Sequence, residues 1–140
     1  MEMRSELRAF RAVVGLVLLV PLVGGLTGAF GGIGGMARLF GAGGELTVPL
    51  PLRNHFRAVC CAFVSWVPLV IWSLGVLPER AAVFRIIVGS AFVAGLARLT
   101  GWWVEGYPGG VAVAILAIEL AGMPILLVWH ARLNGLLRAR

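Results

Sequence analysis

The sequence has 140 residues, of which 60% are hydrophobic and only 13% are charged, and its mean hydropathy is +0.98. A soluble domain carries roughly a quarter charged residues and under half apolar ones, so these values exclude an ordinary water-soluble fold and intrinsic disorder. The net charge of +6 comes from arginines near the ends of apolar runs. That distribution is typical of a protein in a lipid bilayer with anionic surfaces, and not of a protein that binds nucleic acid.

Four apolar stretches are long enough to cross a membrane, for which about 20 residues are needed. They lie at residues 12–30, 58–77, 81–104 and 110–129. Continuous apolar runs favour helices over the alternating strands of a β-barrel. The sequence therefore predicts an all-α, polytopic membrane protein with one domain over residues 1–140, four transmembrane helices in an antiparallel bundle, and an outer loop at 31–55.

Three prolines fall inside these spans: Pro21, Pro68 and Pro124. Membrane helices tolerate proline when neighbouring groups compensate for the missing hydrogen bond, so kinks are expected there and not helix ends.

The predicted outer loop begins with glycines that match a dinucleotide-binding pattern between Gly32 and Ala37. The pattern lacks the strand and helix of a βαβ unit, so the glycines are interpreted as sites of close helix contact. Further along, Val48–Leu52 contains two prolines and is predicted to be extended. Asn54 is then predicted to cap the second span.

The arginines predict the orientation of the chain in the membrane. Eight of them lie in the two terminal flanks and the second connection, whereas four lie on the opposite side. Both termini are therefore expected in the cytoplasm. Aromatic residues at span ends are predicted membrane-interface anchors: Trp102, Trp103 and Tyr107 on the outer side and Trp129 on the inner side.

Small residues recur at the helical spacing that lets membrane helices approach closely. They form three predicted stripes, namely Gly24, Gly28 and Gly32 in the first span, Ala91 and Gly95 in the third, and Ala117 and Ala121 in the fourth. Packing within the four-helix bundle and docking onto another membrane protein both fit this pattern, and both remain open.

Charged residues within the spans form a predicted polar cluster of Arg57, Arg98, Glu105 and Glu119. Glu119 lies about 15 Å deep and Arg98 about 9 Å deep at the helical rise per residue, both counted from the same side. Charges at this depth are costly and usually find partners. Three interpretations stay open: a structural ion pair between Arg98 and Glu119, a lipid-headgroup or small-anion site with Arg57 and Arg98 as donors, and a proton-coupled site at Glu119.

The sequence contains few residues of the types that form catalytic or metal sites. The chain has no Asp and therefore no Ser-His-Asp triad, and His55 and His130 are predicted at opposite interfaces. Cys60 and Cys61 are interpreted as small buried residues and not as a disulfide, because adjacent Cα atoms lie closer than a bridge prefers. No metal, cofactor or enzymatic activity is expected.

Short motifs from Leu52 onward resemble a known family. They are L-R-N-H-F-R-A opening the second span, P-E-R-A-A in the tight turn, G-L-A-R-L-x-G ending the third span, E-G-Y-P before the fourth, and a lone Glu within it. In this order they resemble small bacterial four-helix membrane proteins known only as a domain of unknown function. The resemblance implies Arg57, Arg98, Glu105 and Glu119 as the positions of interest, and it implies that Cys60 and Cys61 replace two packing glycines. It supplies no activity.

These observations lead to one principal hypothesis and two alternatives. The principal one is a non-enzymatic accessory or regulatory subunit of a larger inner-membrane complex, such as a lipid transporter or an energy-transducing assembly. The alternatives are a stand-alone carrier of a lipid or small hydrophobic molecule, and a proton-coupled transporter. Expected partners are membrane lipids and other integral membrane subunits, in the inner membrane of a bacterium.

Overall fold

A computed structural model describes residues 2–42 and 47–139, and every regular element in these ranges is helical. The elements in chain order are α1 (Glu2–Val17), α2 (Leu19–Leu39), α3 (Leu50–Gly75), α4 (Ala81–Glu105), α5 (Gly110–Ala117), a π-helical segment (Ile118–Gly122) and α6 (Met123–Arg138). The predicted all-α class is confirmed.

Four helical stretches are long and apolar enough to cross a membrane. They are Met3–Leu39, Leu50–Gly75, Ala81–Glu105 and Gly110–Arg138. The first is 37 residues long, well beyond the predicted span, because backbone hydrogen bonding continues into polar flanks while only the apolar part must match the hydrocarbon.

The connection between the first two spans is shorter than predicted. Of the predicted loop at 31–55, α2 takes the residues up to Leu39 and α3 those from Leu50 onward, and residues 43–46 lie outside the described ranges. The expected extended conformation of Val48–Leu52 is therefore wrong from Leu50, and Asn54 lies inside α3 and not at its cap. Pro51 is the second residue of α3, where a helix needs no N–H from its residues.

None of the three span prolines ends a span, as predicted. Pro21 and Pro124 each lie in the first turn of an α-helical segment, whereas Pro68 lies in the interior of α3. The π-helical segment directly precedes Pro124, and there the Met123 N–H donates to the carbonyl of Ile118, five residues earlier. This wider turn changes the backbone hydrogen-bond pattern just before Pro124, which has no backbone N–H to donate.

Two compact units make up the chain. The central unit is Leu18–Pro68, and the terminal unit combines Met1–Val17 with Leu69–Arg140.

In the central unit, α2 packs its glycines against α3. A Cβ added to Gly25 would lie 2.7 Å from Cγ2 of Val64, and one added to Gly28 would meet the Sγ of Cys60. At Gly24, however, no atom of the described neighbouring residues lies within 4 Å of an added Cβ. The stripe packed within the chain is thus Gly25, Gly28 and Gly32, one position from the expected Gly24, because the adjacent glycines allow either register on a helical face. A role of Gly24 in docking onto another protein stays a prediction.

A sharp bend interrupts α2 at Gly32, whose backbone angles are φ 63° and ψ −160°. Essentially only glycine adopts this combination. The bend releases carbonyl oxygens of the preceding turn from their helical partners, and Nη1 of Arg57 donates to two of them, Ala29 at 2.6 Å and Phe30 at 2.7 Å. A cation at the carboxyl end of a helical segment is also favoured by the helix dipole.

The terminal unit is built around a buried aromatic cluster. Phe10 of α1 and Phe84 of α4 have no exposed surface, and their ring centroids lie 5.6 Å apart. His130 of α6 stacks on Phe84 with a centroid distance of 4.4 Å. The buried face of α6 consists of Met123, Leu126, His130, Leu133 and Asn134, so one stripe of this helix holds the unit together.

Arginines satisfy the carboxyl end of α3, whose last carbonyls have no helical partners. Nη2 of Arg11 donates to the carbonyl of Leu74 at 2.8 Å, and Nη1 of Arg80 donates to that of Trp72 at 3.0 Å. The Arg80 guanidinium also lies 4.0 Å from the centre of the Trp72 ring. Arg11 and Arg80, which in the sequence counted only toward the orientation, therefore also satisfy carbonyl groups at the carboxyl end of α3.

Substitution of Gly32 by alanine tests the bend. Gly32→Ala adds a Cβ in a backbone conformation that disfavours one, 2.9 Å from Nη2 of Arg57, so a loss of about 1–3 kcal/mol of unfolding free energy is expected. Gly31→Ala is the matched control, since among the described residues outside the adjacent helix backbone an added Cβ there meets only Cγ2 of Thr27, at 4.0 Å. Unfolding in detergent micelles followed by circular dichroism measures both, and equal stability of the two variants would contradict the role of the bend.

Candidate functional site

A buried carboxylate lies in the one irregular turn of the last span. Glu119 belongs to the π-helical segment Ile118–Gly122, and the whole residue, backbone included, is 9% exposed. Short π-helical turns are rare and frequently occur at functional sites. Glu119 is therefore the residue around which a candidate site is built.

The partner of Glu119 is Arg98, which α4 presents from the neighbouring helix of the terminal unit. The Arg98 Nε donates to Oε1 at 3.2 Å and lies 2.9 Å from Oε2. The two side chains differ in environment: the exposed fraction of the side chain is 45% for Arg98 and only 12% for Glu119. The carboxylate is therefore held inside while the far end of the guanidinium reaches the surface.

Gly95 allows this pairing because it lets α4 and the π-helical segment approach closely. An added Cβ at Gly95 would lie 2.7 Å from the Cβ of Glu119 and 3.1 Å from Cδ2 of Leu120. Gly95 is buried, whereas Ala91, one turn earlier, is half-buried. Ala117 and Ala121, the predicted stripe of the fourth span, are both exposed because the buried face of this span runs through Leu116 and Glu119 instead.

The other two members of the predicted polar cluster have different surroundings. Arg57 belongs to the central unit, where its guanidinium caps the turn before Gly32. Glu105 is the last residue of α4 and is exposed. Of the four predicted residues, the structure thus joins Arg98 and Glu119 in direct contact.

A second polar group in the terminal unit was not predicted from the sequence. His130 is fully buried and Asn134 is 3% exposed, so His130 packs inside the protein; its predicted level near a membrane interface stays a prediction. Both ring nitrogens of His130 and Oδ1 of Asn134 have no hydrogen-bond partner among the described residues. The signal was present in the sequence, since His130 shares the helical spacing of Met123, Leu126 and Leu133.

The predicted interface aromatics fall into two groups. Trp103 is 88% exposed and Tyr107 is 70% exposed, while the rings of Trp102 and Tyr107 meet at 6.1 Å. Trp129 is half-buried instead. Its ring lies edge-on to Phe10 at 5.3 Å, and its Nε1 donates to Oε1 of Glu6 at 3.3 Å.

Cys60 and Cys61 are free thiols, the first buried and the second exposed. Among the described residues, no three His, Cys, Asp or Glu side chains are grouped so that they could hold a metal ion. At the candidate site, the Arg98–Glu119 pair provides charge neutralisation inside the span and hydrogen-bond donation at its surface.

Four membrane-spanning helical stretches and a charge pair inside them define the class of this molecule: a small multi-pass membrane protein. The chain belongs to the family described as a domain of unknown function, DUF4345, whose model matches residues 9–130. The predicted resemblance to a four-helix membrane family of unknown function is thereby confirmed. Among curated proteins and solved structures, none matches the chain.

Because Glu119 is more buried than Arg98, substitution of one or the other is expected to lower the free energy of unfolding by different amounts. Arg98→Met leaves the buried carboxylate of Glu119 without its donor, so a loss of about 1.5–3 kcal/mol of unfolding free energy is expected. Glu119→Leu is expected to cost less, because the exposed end of Arg98 can turn toward the membrane surface.

The double variant Arg98→Met/Glu119→Leu completes the cycle. It is expected to be more stable than Arg98→Met alone, since no charge is then left unpaired. Reversible unfolding in mixed micelles measures all three variants. Additive losses in the double variant would show that the two side chains are not coupled.

Proposed function

We propose that this protein is a non-enzymatic accessory or regulatory subunit of a larger membrane complex and acts by binding another membrane-embedded subunit. One observation carries this proposal: the last span exposes a face of small residues. Gly110, Ala114, Ala117 and Ala121 are all exposed and follow one another at intervals of four, three and four residues.

Such a face is suited to a helix and not to lipid alone. Lipid chains are as apolar as leucine, so membrane helices associate where small residues let two backbones approach. In the central unit the comparable face, with Gly25 and Gly28, is already covered by α3. The alanine face of the last span has no such cover among the described residues, which favours a helix of another subunit as its occupant.

The location of this complex is proposed from the sequence. The absence of lysine and the richness in Arg, Ala, Gly and Val favour a bacterial source, and the excess of arginine in the terminal flanks favours an inner membrane with both termini in the cytoplasm. The proposal of a binding function rests on the exposed face and not on this orientation.

Enlargement of the alanine face tests the binding function. Gentle detergent extraction of the tagged protein from its native membrane, followed by mass spectrometry, is expected to recover a stoichiometric membrane partner. Ala117→Phe/Ala121→Phe is expected to reduce that recovery about tenfold or more by steric overpacking, with unchanged thermal stability of the purified protein.

Ile86→Phe/Val93→Phe is the matched control, because these α4 residues are 70% and 61% exposed and already large. It is expected to retain the partner. A wild-type protein that carries no membrane protein, or a partner that survives the alanine substitutions, would overturn the proposed function. A tightly held lipid in a lone protein would favour the carrier alternative.

The orientation makes a separate prediction. A fluorescent protein fused after the last residue is expected to fold and fluoresce, and alkaline phosphatase fused at the same place is expected to be inactive, since each is functional on only one side of an inner membrane. The opposite pair of results would place the C-terminus outside. Fusions to the N-terminus are expected to behave in the same way, because four spans return the chain to its starting side.

A further inference from the structure

Arg98 uses only part of its hydrogen-bonding capacity inside the protein. Its Nε–H donates to Glu119, but within the described residues no group accepts a hydrogen bond from Nη1 or Nη2. A guanidinium carries most of its N–H donors on these two nitrogens. The end of the side chain that points away from Glu119 is therefore available to an acceptor from outside the chain.

The depth of Arg98 favours such an acceptor. Arg98 lies seven residues before Glu105, the end of α4, which places its Cα about 10 Å along the helix axis from that end. Its side chain is 45% exposed within a stretch that spans the membrane. Charged donors left unpaired at this depth are costly, and the bond to Glu119 limits how far Arg98 can turn toward water.

The exposed apolar surface of α4 favours acyl chains over a second helix. On the sides of the helix away from Arg98, Val93 and Leu96 are 61% and 44% exposed, and Leu99, next to Arg98 in the chain, is 36% exposed. Such bulky side chains keep another backbone at a distance. On the side of Arg98 itself, nearly one turn closer to the end of the helix, no atom of the described residues lies within 4 Å of a Cβ added to Gly101, and half-buried Trp102 follows. This arrangement leaves room for a headgroup next to Arg98, with apolar side chains beneath it.

We infer that Arg98 binds the phosphate group of an anionic phospholipid whose acyl chains lie along the apolar surface of α4. The planar guanidinium offers two parallel N–H groups, which match the oxygens of a phosphate. Glu119 is a positioning residue in this site, because its bond to Nε turns the Nη end outward. Arg57 takes no part, since its guanidinium is bound to the carbonyls of Ala29 and Phe30.

This site is separate from the alanine face on which the proposed function rests. Arg98 belongs to α4 and Glu119 lies on the buried side of the last span, whereas the alanine face is the exposed side of that span. Loss of the lipid with retention of a protein partner, or the reverse, tells failure of one proposal from failure of the other.

Native mass spectrometry of the detergent-purified full chain tests the inference. Equal amounts of phosphatidylglycerol and phosphatidylcholine are added, and the two lipid-bound forms are compared. The wild-type protein is expected to prefer phosphatidylglycerol about tenfold, which corresponds to a charge-assisted hydrogen-bonded pair. Phosphatidylcholine also has a phosphate, but its own cation competes for it.

The decisive variant is Arg98→Gln/Glu119→Gln, which removes the guanidinium without leaving a buried carboxylate and keeps the net charge of the protein. It is expected to lose the preference, so that both lipids bind equally, while its thermal stability stays close to that of the wild type. Arg53→Gln is the control, because it removes one exposed arginine from another part of the chain. It is expected to keep the preference.

Three results would overturn the inference. They are a double variant that still prefers phosphatidylglycerol, an Arg53→Gln variant that loses the preference equally, and inorganic phosphate that binds the wild-type protein as well as the lipid does. If Arg98→Gln/Glu119→Gln instead releases a co-purified membrane protein and leaves lipid binding unchanged, Arg98 serves a partner subunit and not a lipid.

Discussion

Hydrocarbon offers no hydrogen-bond partner, so each backbone group that leaves the regular helical pattern must be satisfied by the protein itself. This constraint accounts for much of the structure. The bend at Gly32 frees carbonyls that Arg57 takes up, and the end of α3 is completed by Arg11 and Arg80. Arginine suits this work because it carries several donors on a long side chain and stays charged, and the chain contains no lysine.

The same constraint applied to charge explains the Arg98–Glu119 pair. A carboxylate inside a span is costly unless a cation neutralises it, and Gly95 brings α4 near enough for Arg98 to do so. The pair is asymmetric, with the acid inside and the base partly exposed. Oε1 of the acid accepts a hydrogen bond from Arg98, whereas Oε2 is buried with no hydrogen-bond partner among the described residues and lies 2.9 Å from Nε of Arg98. The base can still interact beyond the chain.

Large side chains are found both in the buried aromatic cluster, as at Phe10 and Phe84, and on the exposed surface of the helices. Large side chains such as Phe30 and Trp103 are exposed, which is expected where lipid replaces water as the surrounding medium. Small residues are buried where two helices of the chain meet, as at Gly28 and Gly95. The alanines of the last span are small and exposed, and they support the proposal of a partner helix because small residues let two membrane helices approach.

The sequence by itself determined the all-helical class, the four spans and the residues with unusual charge. Span length and hydropathy are local properties, and a charge such as Glu119 stands out in any apolar run. It did not determine which face of a helix is buried, because Gly24 and Gly25 are equivalent in a repeat of small residues and His130 near a span end resembles an interfacial residue. Only the tertiary structure decided that Gly25 packs on α3, that His130 stacks on Phe84, and that Nε of Arg98 faces the carboxylate. These are contacts between residues far apart in the chain, and the rotation of each helix that sets them is fixed by all of its neighbours together.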